Sequence, residues 1–262
     1  MTLDARRGRL WAAMGLGPQW VLRSSDEPGP LDEAAAIVPA EPPAAPAPQR
    51  HAAEPAAIEA GGDERAQRIA RMDWGELQAS VAGCTACGLC RTRTQTVFGV
   101  GNPAAHCMIV GEAPGAEEDA RGEPFVGQAG RLLDNMLAAV SLSRTGDAPQ
   151  SSVYIANVLK CRPPGNRNPA PDEVGQCEPY LLRQMELIRP KLIVVMGRFA
   201  AQSLLGTEAS IASLRGRVHH IDVAGRRVPV VVTYHPAYLL RNLADKSKSW
   251  ADLCLARRTL AA

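Results

Sequence analysis

Residues 192–205, LIVVMGRFAAQSLL, read as a buried strand, Leu192–Met196, that turns at Gly197 into a helix over 198–205. Five apolar residues without a polar break leave no face for water, the pattern of a strand covered on both sides. Three short apolar runs repeat it: Met108–Val110, Val153–Leu159 and Val230–Thr233. Between the runs the spacing is helical. Residues 128–140 place Leu132, Leu133, Met136, Leu137 and Val140 on one face, and residues 172–188 follow Pro171 with Asp172 at the N-cap position. Residues 246–260 close the set. Buried strands alternating with helices predict an α/β fold: three layers, α/β/α, around a central, mostly parallel four-stranded sheet. Residues 218–232, with Gly225 between two runs, read as a hairpin feeding the last strand.

This fold takes up residues 72–262, enough for one domain with its own core. Ahead of it, residues 26–71 read as a flexible, disordered linker, because residues 26–62 hold 8 of the 21 prolines, 12 alanines and no aromatic residue. Residues 1–25 allow a short helix around Leu10, Trp11 and Met14, either a docking peptide for a protein partner or a frayed terminus. The formal charge of +2 conceals an asymmetry: the chain through Arg65 carries −4 and the remainder +6. A basic body favours a polyanionic partner. No run reaches the roughly 18 uncharged apolar residues of a membrane span. The first residues lack the apolar run and cleavage site of a secretory signal. The expectation is therefore a cytoplasmic protein, whose seven cysteines are ligands or thiols rather than disulfides.

In open α/β sheets, ligands sit beyond the carboxyl ends of the strands. After the first strand come Gly111, Glu112, Ala113 and Gly115, then Pro124 and Phe125; the second ends near Asn157 and the fourth at His235. A carboxylate, an aromatic face, a carboxamide and an imidazole on one edge suit a planar polar ring, and the glycines let backbone amides approach it. Taken singly, each has a plainer use in a core, a turn or a cap. Cys84 and Cys87 form a C-x2-C pair, while Cys161 and Cys177 flank a proline-rich loop. Two such pairs can hold zinc or an iron–sulfur cluster, and spacing does not choose between them. Cys90 makes Cys87 with Cys90 a rival pairing. Cys107 and Cys254 read as buried small hydrophobes.

On the stretches CTAC (84–87), GEAPGAEED (111–119), EPFVGQAG (123–130), NVLKCRPPGNRNP (157–169), the Cys177 spacing and HPAYLLR (235–241), the chain resembles the family 4 uracil-DNA glycosylases. This is the iron–sulfur branch of that superfamily, and the resemblance covers residues 74–262. It implies a monomeric repair enzyme that flips uracil out of DNA and hydrolyses its glycosidic bond. By resemblance Phe125 stacks on the uracil, Asn157 pairs with its edge, and His235 donates to O2 of the departing base. Gly111, Ala113 and Gly115 then border the substrate. Another branch carries an aspartate where Ala113 stands, so the water's partner is not carried over; Glu112 is the preferred carboxylate and Asp119 the second. The resemblance also implies one structural [4Fe-4S] cluster on Cys84, Cys87, Cys161 and Cys177, and Lys160, Arg162 and Arg167 facing phosphates. Leu239, Leu240 or Arg241 would enter the gap left in the duplex. A non-catalytic nucleic-acid-binding relative, or one that bonds covalently to its abasic product, is the competing expectation.

Overall fold

The computed structural model describes residues 61–261. Its strands are β1 (Val100–Gly101), β2 (Cys107–Gly111), β3 (Val153–Asn157), β4 (Leu192–Met196), β5 (Val218–Val223) and β6 (Arg226–Thr233). They form one sheet in the order β1-β3-β2-β4-β6-β5. The four expected strands are the parallel centre, β3, β2, β4 and β6. The sheet nevertheless has six strands, not four, because an antiparallel strand closes each edge. β1 is two residues long, and β5 is the outer arm of the hairpin with a partly exposed face. Neither offers the continuous apolar run that marks a covered strand.

The helices are α1 (Gly61–Ile69), α2 (Trp74–Ala82), α3 (Ala116–Arg121), α4 (Gln128–Ala139), α5 (Pro171–Ile188), α6 (Arg198–Leu205), α7 (Ile211–Leu214), α8 (Pro236–Arg241) and α9 (Lys246–Ala261). Alternate strand residues point to opposite faces. Met108, Val110, Ile193, Val195, Val230 and Val232 meet α5, α6 and α7 on one side. Cys107, Ile109, Ile155, Val194 and Val231 meet α4 and α9 on the other. Three layers result. The start of α5 differs from the expected Asp172 cap: Pro171 opens the helix, and the Ala170 N–H at the N-cap donates to the Glu173 carboxylate at 2.8 Å.

The folded body also begins upstream of Met72. Helix α1 lies inside the stretch expected to be linker, yet Ile69 is 1% exposed and Arg65 donates to the Gln176 carbonyl on α5 at 2.8 Å. The prolines stop at Pro55, and GGDERAQRI contains nothing that blocks helix propagation. A third cluster joins Ile69, Leu77, Val81, Leu89 and Leu159 around Cys161 and Cys177. The expected helix in 1–25 and the remainder of the linker lie outside the described residues. No helix among the described residues is long and apolar enough to cross a membrane.

Candidate active site and cysteine centre

Parallel pairing sets Gly111, the last residue of β2, beside Asn157, the last residue of β3. The chain then leaves the sheet as a pair of loops held together by the Val158 and Leu159 N–H groups, which donate to the Gly111 and Glu112 carbonyls at 3.0 Å. A cleft opens above, with Glu112, Ala113, Gly115, Phe125, Asn157 and His235 among its walls. Gly111 is the floor that lets two of them meet. A Cβ there would stand 2.8 Å from the Phe125 ring and overlap Asn157 Oδ1. Asn157 is 2% exposed, and its Oδ1 has no hydrogen-bond partner among the described residues. A buried acceptor left unpaired costs about 1–3 kcal/mol, which an N–H on a ligand would relieve.

Phe125 adopts a left-handed backbone, φ 55°, which is rare for an aromatic residue. Its ring stacks on the His235 imidazole, centroids 5.3 Å apart and planes inclined by 27°. Helix α4 approaches closely enough that only glycine fits at position 130: a Cβ there would collide with the Phe125 carbonyl. Glu118 joins the two loops, accepting the Gly115 N–H at 3.1 Å and the Val126 N–H at 3.2 Å. Sequence reasoning passed over Glu118. Its spacing from Gly115, that of a capping box, was the available signal.

His235 caps α8, its Nδ1 accepting the Ala237 N–H at 3.2 Å. That bond requires a lone pair on Nδ1, so the ring proton sits on Nε2. Burial lowers the imidazole pKa to about 4, and Arg241 pushes the same way. One edge of the ring stays open to the cleft. The residue is thus a neutral N–H donor at physiological pH. Burial raises the Glu112 carboxyl above its ordinary value, and Arg198 draws it part of the way back.

Not every expected residue reaches this cleft. Lys160 is 1% exposed and turned inward, so it does not face phosphates; its Nζ donates to the Asn157 carbonyl and to Gln184 Oε1. Asp119 is buried, with both carboxylate oxygens accepting the Thr94 N–H, and it serves the fold rather than water. Leu239 is 1% exposed on the buried side of α8, which removes it as the wedge; Leu240, 39% exposed, and Arg241 face outward. Arg167 and Arg241 border the cleft, although Arg167 is also paired with Glu173 at 2.6 Å. Arg162 donates to Asn166 Oδ1, another cleft residue.

Cys84, Cys87, Cys90, Cys161 and Cys177 all line one cavity, so both of the expected pairings face it. Three donors aim at their sulfurs: Arg93 at Cys161 (3.1 Å), the Lys160 backbone N–H at Cys177 (3.2 Å) and Arg65 at Cys84 (3.7 Å). Burial pushes the Cys177 thiol up to about 12 and raises Cys161, which Arg93 partly opposes. Deprotonated sulfurs here therefore call for a cationic centre. No three His, Cys, Asp or Glu side chains among the described residues converge on a single ion. Two cysteine pairs line a common cavity with N–H donors on their sulfurs, so the arrangement can supply four thiolates to one metal centre.

Comparison with known proteins adds an independent line. A sequence model described as the uracil DNA glycosylase superfamily matches residues 98–255. The chain is 48% identical over 169 residues to a type-4 uracil-DNA glycosylase of Archaeoglobus fulgidus, covering 63% of this chain and 82% of the relative. It is 39% identical over 188 residues to the type-4 enzyme of Pyrobaculum aerophilum, covering 70% and 93%. Against the type-4 enzyme of Thermotoga maritima the identity is 44% over 167 residues, covering 63% and 82%.

Proposed function

The chain belongs to the uracil DNA glycosylase superfamily, and from that membership we infer how its cleft releases uracil from DNA. It is a uracil-DNA repair glycosylase, a hydrolase of N-glycosidic bonds acting on DNA. The observation that carries the reading of its site is the unpartnered Asn157 Oδ1. Uracil brings an N–H at N3 to that acceptor and a carbonyl at O4 to the amide N–H. Cytosine presents an acceptor at N3 and a donor at N4, so both contacts clash. Phe125 stacks on the flipped ring. The His235 Nε2–H donates to O2 as the C1′–N1 bond breaks and its electron pair moves onto the base. Water then adds to C1′ and gives up a proton, oriented by ionised Glu112, which lines the cleft. Around the pocket, Leu240 and Arg241 face the gap in the duplex, while Arg162 and Arg167 face phosphates. Incubation with a uracil-containing oligonucleotide followed by alkali should cut the strand; an uncut strand at stoichiometric enzyme would overturn this function.

The pH profile separates the two titrating groups. Because His235 stays neutral down to about pH 4, uracil release should show no inflection near 6.5, the ordinary histidine value. The rate should instead fall on the acid side as Glu112, raised by burial, takes up its proton. Single-turnover rates across pH 4.5–9 test this, and Glu112→Gln should flatten the acid limb. An inflection near 6.5 that survives Glu112→Gln would reject the assignment.

We also propose that Cys84, Cys87, Cys161 and Cys177 hold one [4Fe-4S] cluster. When bound, the cluster would supply cross-linking rather than reaction chemistry, tying the segment after α2 to Cys161 beyond β3 and to Cys177 on α5. Cys177→Ala should abolish absorbance near 400 nm and sharply reduce soluble yield, since losing a ligand compromises folding. Cys90→Ala should leave both intact. A colourless wild-type protein with stoichiometric zinc would reject the cluster. The reading further takes the enzyme as a monomer in the reducing cytoplasm, where thiols remain available as ligands.

A further inference from the structure

Lys160 is the only lysine or arginine among the buried residues described. An ammonium in the interior is costly unless it is paired. None of the carboxylate ion pairs among the described residues includes it, and the only sulfurs near it are those of the cysteine cavity that it also lines. Its two acceptors are neutral: the Asn157 main-chain carbonyl at 2.8 Å and Gln184 Oε1 at 2.7 Å. Gln184 is itself fully buried on α5, and its amide donates to the Phe98 carbonyl at 2.9 Å. Helix α5, the segment ahead of β1 and the end of β3 thus converge on one ammonium beneath the base-reading amide.

The placement has a local reason. Asn157 is the last residue of β3, where the ladder ends and the main chain turns away. The Lys160 side chain bends back three residues to donate to the Asn157 carbonyl. Gly111 leaves room on the other side for the carboxamide and the Phe125 ring. The asparagine is therefore held at its backbone by a charge and at its side chain by shape. We propose that Lys160 is a positioning residue for base reading, which fixes the Asn157 main chain so that its carboxamide stands ready for the uracil edge. This inference rests on the assignment of Asn157 to that edge. It also explains why a position that looks made for a phosphate contact carries its lysine inward.

The test compares wild type, Lys160→Met and Lys160→Gln in three measurements: single-turnover uracil release, inhibition by free uracil, and affinity for abasic-site DNA. Methionine keeps the volume and removes the buried charge, at the cost of leaving the Asn157 carbonyl and Gln184 Oε1 without their donor, so its melting temperature is measured alongside. Losing one charge-assisted bond at the anchor of Asn157 should slow release and weaken free-uracil inhibition by about 10- to 100-fold. Affinity for abasic DNA, which has no base for Asn157 to read, should stay within about twofold of wild type. Glutamine retains an N–H donor for the Asn157 carbonyl and should recover part of the loss. Wild-type release by Lys160→Met would overturn the proposal. So would a loss matched by equally weakened abasic-DNA binding, which marks general damage, or a glutamine variant no better than methionine. If Lys160→Met yields no folded protein, Gln184→Met removes one acceptor and leaves both Lys160 and Asn157 in place. It should slow release several-fold, and release at the wild-type rate would overturn the proposal. A wild-type enzyme that releases no uracil would fail at the underlying function instead, a result distinct from any of these.

Discussion

His235→Ala should release uracil about 10²–10³ times more slowly than wild type, the usual cost of removing one donor aimed at developing negative charge. The size follows from the protonation state. With the Ala237 N–H on Nδ1 and the pKa near 4, the proton on Nε2 is present throughout the working pH range. No part of the enzyme is lost to the wrong charge state. The donor also sits in a site walled by Phe125, where charge is poorly screened. The fold should survive: the alanine forfeits one helix-cap bond, worth about 1 kcal/mol. Single-turnover rates together with abasic-DNA affinity decide the matter. A loss below tenfold, or one shared equally by DNA binding, would remove His235 from the bond-breaking step.

Gly111→Ala should be comparably severe, by a different route. The methyl group would meet side chains rather than backbone, namely the Asn157 carboxamide and the Phe125 ring. β2 can therefore keep its register while the two groups that read the base are driven apart. Asn157 is 2% exposed and Phe125 5%, so the cleft is the only space that can receive them. A displacement of about 1 Å at a reacting site costs roughly 10²-fold. The expected variant melts close to the wild-type temperature, binds abasic DNA, and releases uracil at least 100-fold more slowly. Near-normal release would mean that the ring and the carboxamide do not act as a pair over this glycine.

The parallel centre of the sheet could be read from the sequence because burial on both faces imposes a local pattern, four or five apolar residues without a break, as in Leu192–Met196. The site could be read for a related reason: in a parallel sheet, whatever follows each strand is delivered to the same edge. Gly111, Asn157 and His235 needed no knowledge of packing to be placed together. What the sequence withheld was direction. Lys160, Asp119 and Leu239 occur in motif segments that do approach the cleft, yet Lys160 turns inward to Gln184, Asp119 to the Thr94 amide, and Leu239 lies on the buried side of α8. The β1 edge was missed because a two-residue ladder lacks the double-sided signature, while the half-exposed β5 arm was read as a hairpin but not counted into the sheet. Helix α1 was missed because the prolines upstream coloured the composition of residues that contain none.

That helix has a consequence for how long the protein lasts in air. Arg65 spans from α1 to the Cys84 sulfur and the Gln176 carbonyl, with its guanidinium 4.9 Å above the Tyr180 ring. One turn of helix and a flat cation therefore stand between Cys84 and the bulk on that side. Oxidation of sulfur follows thiolate character and access. Trimming the chain back to Met72 would leave the cleft untouched and strip this cover. Such a shortened enzyme, which also loses Ile69 from the third cluster, should lose activity in air faster than the protein from which it was cut.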